Sequence, residues 1–197
     1  MATGRLEAFS DGVLAIIITI MVLELRPPEG AHLADLASLA PVFTAYVLSF
    51  IYIGIYWSNH HHMLGVTERV NGAVLWANLH LLFWLSLVPF ATAWMGDTHW
   101  AKAPTAVYGV PLFMAAVAYF ILERAIVSIQ PADSPLPAAV RGGAKEIVSV
   151  LLYALAIGTA ITFPAIAQAI YVTVALLWLV PDRRIERSLG ARTPRES

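Results

Sequence analysis

Apolar residues run along this chain in blocks of about twenty, with the polar residues gathered between the blocks. A helix needs about that many apolar residues to cross a hydrocarbon core about 30 Å thick. Six stretches fit or nearly fit. They run from about Leu6 to Leu25, Pro41 to His62, Ala73 to Met95, Pro104 to Ile126, Glu146 to Phe163 and Ala165 to Val180. The first ends at Pro27-Pro28, and Pro41 is a favoured first-turn residue. Pro89 and Pro111 fall inside spans, which membranes tolerate because neighbouring groups satisfy the freed carbonyls. The last two stretches are short and parted by Pro164, so one kinked re-entrant segment is the alternative to two spans. The pattern predicts an all-α membrane protein of six transmembrane helices, with no soluble domain. The membrane domain covers 1–182, and a basic tail covers 183–197.

The first block is predicted to be a retained helix rather than a cleaved signal peptide. Glu7 and Asp11 stand where basic residues would be needed, and Leu23-Glu24-Leu25-Arg26-Pro27 offers no small-residue cleavage site.

Charge gives the spans a direction. One set of alternate loops and ends carries Arg5, Arg69, Arg124, Arg141, Lys145, Arg183, Arg184, Arg187, Arg192 and Arg195, and the other only Arg26 and Lys102. Ten against two predicts both termini in the cytoplasm. The outer loops hold Glu24, Glu29, Asp35 and Asp97. These either raise the local cation concentration or are simply solvated. The tail reads as solvated or drawn to anionic lipid.

Composition narrows the class further. Hydrophobic residues make up 59% and charged residues 13%, against roughly 25% charged in a soluble domain. A net charge of −1 gives no support to a nucleic-acid partner, and the lack of cysteine excludes disulfides, thiol catalysis and Cys-ligated zinc.

The first span carries the unusual chemistry. A carboxylate at Asp11, one or two turns inside an apolar run, is costly in lipid and needs a protein or water partner. Lying hydrated at headgroup depth is the alternative.

The string Arg5-x-x-x-Phe9-Ser10-Asp11 resembles the signature of the transmembrane-protein-175 family of potassium channels. The resemblance continues in Gly12-Val13-x-Ala15-Ile16, Tyr56-Trp57-Ser58-Asn59-His60 and Pro89-Phe90-x-Thr92, with Ala91 where many relatives carry a proline. It covers the first half by motif and the rest by topology. It implies a potassium-permeable channel, in which the first helix lines the pore and four copies assemble. The prokaryotic members it resembles lack a T-V-G-Y-G filter loop, as does this chain. The resemblance also implies residence in the inner membrane of a prokaryotic cell.

Helical geometry offers a wall for such a pore. At 100° per residue, Gly12, Ile16, Thr19 and Leu23 form one narrow stripe. The family's hydrophobic constriction, carried over by offset from Phe9-Ser10-Asp11, falls on Ile16. An isoleucine ring acts as a dewetted barrier, because it gives a cation no oxygen in place of hydration. Thr19 supplies hydroxyls beyond it, and Leu23 a second apolar ring. Without the resemblance, an ordinary packing surface is the better explanation of the stripe, and the motif reverses that. Arg5 projects on the same stripe, where four positive charges would repel cations. With Phe9, Ser10 and Asp11 it is therefore assigned to a supporting network, for which Trp57, Asn59 and His60 are candidate partners.

Other chemistries fit less well. His60-His61-His62 cannot share one metal on a regular helix, since successive side chains point 100° apart. A proton- or cation-coupled secondary transporter is the main alternative function. It would place carboxylates near the midplane, whereas Asp11, Glu24, Glu123 and Glu146 lie near span ends. The expectation is a channel that catalyses no reaction and needs no cofactor. Its partners are its own copies, the lipid bilayer and monovalent cations, with potassium as the permeant ion.

Overall fold

A computed structural model describes residues 3–131 and 144–179. The predicted basic tail over 183–197, its arginines, Arg141 and Val180 lie outside the described residues. Among the described residues seven α-helices make six passes: α1 (Thr3–Leu23), α2 (Ala40–Gly65), α3 (Gly72–Ser86) with α4 (Val88–Asp97), α5 (Lys102–Val127), α6 (Ala144–Ala160) and α7 (Pro164–Leu179). A short 3-10 helix, Leu33–Leu39, precedes α2 and was not anticipated. Its start is fixed locally, the His32 backbone N–H donating to Asp35 Oδ2 at 2.9 Å.

Four passes are long and apolar enough to cross a membrane: α1, α2 with the preceding turn, α3–α4 and α5. The helices α6 and α7 are shorter, at 17 and 16 residues. They are separate helices packed on each other, so Pro164 opens a new helix rather than kinking one segment.

The third pass differs from its prediction: it is broken at Leu87. Pro89 lacks the N–H that would bond back to Leu85, so α3 stops and α4 restarts with the proline in its first turn. Pro111 leaves α5 uninterrupted.

Small and polar residues bind the bundle where the hydrophobic effect between helices is weak. The central helix α5 packs on α3, α4, α6 and α7. A Cβ at Gly109 would strike the Tyr171 hydroxyl and come within 2.7 Å of Ile157, and one at Gly96 would lie 2.8 Å from the Val42 backbone. Ser49 bonds Thr92 at 2.6 Å and Tyr108 at 2.9 Å, and the Tyr171 hydroxyl donates to the Thr105 carbonyl at 3.0 Å. At the α4–α5 turn His99 and Trp100 take positive φ, and the Trp100 indole donates to the Pro41 carbonyl. By contrast α1 sits at one edge, packed mainly on α2, α3 and α4 among the described residues.

Candidate functional site

The edge position divides α1 into two faces. Leu6, Ser10, Leu14, Ile17 and Met21, spaced three or four apart, are buried against the neighbouring helices. On the other side Ile16 is 58% exposed and Leu23 78%, and Gly12 and Thr19 are also exposed. A Cβ at Gly12 would meet nothing within 4 Å, so no packing inside the subunit requires glycine there. The Thr19 hydroxyl donates to the Ile16 carbonyl at 3.0 Å. Its hydrogen is thus engaged, and its oxygen lone pairs remain for an outside group.

The buried face is anchored by a chain of hydrogen bonds through three helices. Ser10 Oγ donates to the Leu6 carbonyl at 2.9 Å and accepts from Asn78 Nδ2 at 2.9 Å. Asn78 Oδ1 meets His60 Nε2 at 2.7 Å. A carbonyl only accepts, so every proton in the chain is directed. Ser10 gives to Leu6, Asn78 to Ser10, and His60 Nε2–H to Asn78. All three side chains are fully or almost fully buried. The other ring nitrogen of His60, Nδ1, is buried without a hydrogen-bond partner.

A second grip lies toward the surface. The Trp57 indole donates to Asp11 Oδ1 at 3.0 Å, and His61 Nδ1 lies 3.0 Å from Glu7 Oε1. Trp57 and His61 stack on each other, one turn apart on α2. They meet Asp11 and Glu7, one turn apart on α1, because residues four apart share a helix face.

The structure thus brings Ser10, Asp11, Trp57 and His60 into contact with α1's neighbours, and leaves the other candidates elsewhere. Arg5 is exposed and forms no ion pair among the described residues, and Phe9 is 53% exposed. Both lie toward the Ile16 side. Asn59 lines a cavity between α2, α5, α6 and α7 instead. Adjacent helical residues diverge by 100°, so His60 facing α3 turns Asn59 away.

Beside the exposed stripe runs an open groove between α1 and the α3–α4 pass. Ile16, Ile20, Phe90 and Trp94 form its apolar bed, and Glu24 and Asp97 stand at its far end.

A family model for the endosomal/lysosomal potassium channel TMEM175 matches residues 5–89, from Arg5 to the proline that breaks the third pass. A potassium channel of Chryseobacterium sp. (strain P1-3) is 56% identical over 189 residues, 96% of this chain and 98% of that one. The chain belongs to the TMEM175 family. The crystal structure of a lysosomal potassium-selective channel TMEM175 homolog from Chamaesiphon minutus matches with a TM-score of 0.76 at 27% identity, covering 92% of this chain and 97% of that chain. The human endosomal/lysosomal proton channel TMEM175 is 31% identical over 103 residues, which is 46% of this chain and 20% of its own length.

The stretch matched by the TMEM175 family model holds every residue of the α1 anchor, including Asn78, which the sequence reading did not pick out. A signal was present. An amide two turns inside an apolar span needs a partner for the same reason as Asp11, though at a smaller cost than a carboxylate.

Proposed function

We propose that this TMEM175-family chain is one subunit of a homotetrameric channel for monovalent cations that prefers potassium over sodium, with its pore lined by α1. The observation that carries the reading is the exposed Gly12, Ile16, Thr19 and Leu23 stripe, on a helix whose opposite face is tightly bonded to its own subunit. Four such stripes around an axis form rings. Ile16 then acts as a dewetted constriction, and Thr19 adds outward-facing oxygens. The apolar groove of Phe90 and Trp94 gives a neighbouring subunit a bed beside the same stripe. The names of the bacterial relatives supply potassium as the ion.

The proposal includes residence in the cell membrane of a prokaryote with both ends cytoplasmic, as the distribution of Lys and Arg implies. It includes no catalysed reaction and no cofactor. Asp97 and Glu24 then face outward and concentrate cations at the mouth.

Reversal potentials in mixed potassium and sodium, measured on the purified protein in planar bilayers, test the reading. The parent gives single-channel currents with potassium preference, and Ile16→Asn gives a larger, less selective current. An unchanged current removes Ile16 from the pore, and slow coupled uptake without unitary currents makes the protein a carrier. Proton permeation is a second reading, favoured by the name of the human relative; a pH step in the same bilayers reads it as a shift in reversal potential.

A further inference from the structure

On the far side of α2 from the α1 anchor lies a partly open cavity of about 40 Å³ lined by α2, α5, α6 and α7. Space of that size holds about two or three water-sized groups. Five aromatic residues form most of the wall: Tyr52, Tyr56, Tyr119, Tyr153 and Trp178. The polar lining is Asn59, Ser149 and Glu146. Ser149 is committed elsewhere, accepting from the Trp178 indole at 2.8 Å and donating to the Lys145 carbonyl at 2.7 Å.

The rest are not committed. Among the described residues the Tyr56 and Tyr119 hydroxyls and the Asn59 amide have no hydrogen-bond partner. Glu146 Oε2 is buried with none. Tyr119 is only 9% exposed, so its hydroxyl opens onto the cavity rather than onto bulk solvent. Buried polar atoms are nearly always paired, and an unpaired buried carboxylate oxygen, beside three further polar groups that open onto the same space, points to an occupant.

Water would satisfy the hydroxyls and the amide, but a buried carboxylate oxygen calls for positive charge. The surrounding charges reinforce that demand. Glu123 on α5, also 9% exposed, is a second carboxyl group close enough to interact electrostatically with Glu146, and Arg124 acts on Glu123 in turn. Arg124 is exposed and lies over the Phe120 ring at 4.6 Å. The Lys145 ammonium lies 5.9 Å from the centre of the Trp178 ring, so this wall already draws one ammonium group. Tyrosine and tryptophan faces attract cations in the same way.

We propose that this cavity binds a small primary ammonium ion, held by the Glu146 carboxylate and the faces of the surrounding rings. Its three N–H donors match Glu146, the Asn59 carbonyl and a phenol oxygen, and a short methylene stem fits between rings. Asn59 lies six residues from the end of α2 and Glu146 two residues into α6, so the site sits near the membrane surface. A free amine and the ammonium of a phosphatidylethanolamine headgroup can both reach that depth.

Thermal unfolding of the full chain tests this independently of any current, so a protein that fails to conduct still gives an answer. Ethanolammonium chloride is compared with potassium chloride at equal ionic strength in phosphatidylcholine nanodiscs. A saturable rise of about 3 °C at ten times half-saturation is expected with ethanolammonium beyond that with potassium. Glu146→Gln keeps the shape of the site and loses the shift, Tyr119→Leu raises the half-saturating concentration at least several-fold, and Ile16→Asn leaves the shift intact. No ammonium-specific shift in the parent, or a shift that survives in Glu146→Gln, overturns the proposal. Nanodiscs containing phosphatidylethanolamine separate the two sources. A headgroup occupant raises the starting temperature and blunts the response to free ethanolammonium, whereas a free amine gives the same response in both lipids.

Discussion

The two sides of α1 are both largely apolar and differ in how their polar groups are used. Toward the bundle Leu6, Leu14, Ile17 and Met21 are buried, with Ser10 among them and Asp11 at the margin, and each polar group meets a partner: Ser10 bonds Asn78 and Asp11 bonds Trp57. Away from the bundle it presents Ile16 and Leu23, which touch little of their own subunit. A soluble helix would keep one side apolar and turn its carboxylate to water, whereas here both sides are largely apolar and the carboxylate bonds within its own subunit. In lipid an apolar side chain gains little from burial, so hydrogen bonds and close packing hold the helix in place. The apolar side is then free to serve something outside the subunit.

Substitutions on the two sides should therefore separate stability from conduction. Asn78→Leu removes the bridge and strands both Ser10 and His60. A loss of about 2–3 kcal/mol is expected in thermal unfolding, with less assembled protein on size exclusion. Wild-type stability in that variant would mean the buried side is held by packing alone. Trp57→Phe leaves Asp11 without its indole donor and should cost about 1 kcal/mol by the same measurement. His61→Gln breaks the contact with Glu7 where both groups reach solvent. No more than about 0.5 kcal/mol is expected, and a larger loss would show this outer grip to be the principal anchor. Ile16→Asn should move unfolding least, within about 0.5 kcal/mol, while changing the current most. A variant at Ile16 that unfolds early would erase the distinction between the two sides.

Much of this arrangement can be read from the chain, because bilayer thickness imposes its length on each apolar block. The helices α2 and α5 begin and end within about three residues of the expected spans, within the usual uncertainty of helix ends. The Pro164 boundary between α6 and α7 was also legible as two short blocks. The break at Leu87 was not, because a proline in an apolar run is compatible with either a continuous or an interrupted helix, as Pro111 and Pro89 show in turn. Among site residues, Trp57 and His60 are placed by the depth of α2 against α1. Asn59 fails for a reason available in advance, since the 100° step that parts the three histidines also parts Asn59 from His60. Arg5 and Phe9 lie on the Ile16 side of α1, as their spacing from Ile16 requires, and not with Ser10.

The interruption at Leu87 gives the third pass two separate mechanical duties. Its first fifteen residues carry Asn78 and clamp the N-terminal half of α1. Its last ten carry Phe90 and Trp94, which border the open groove. A load applied to those two rings bears on a short rod joined to the clamp by a single non-helical residue. That rod is itself tied to α2 by the Ser49–Thr92 bond and the close approach of Gly96 to Val42, so the groove and the clamp on α1 are held by separate contacts.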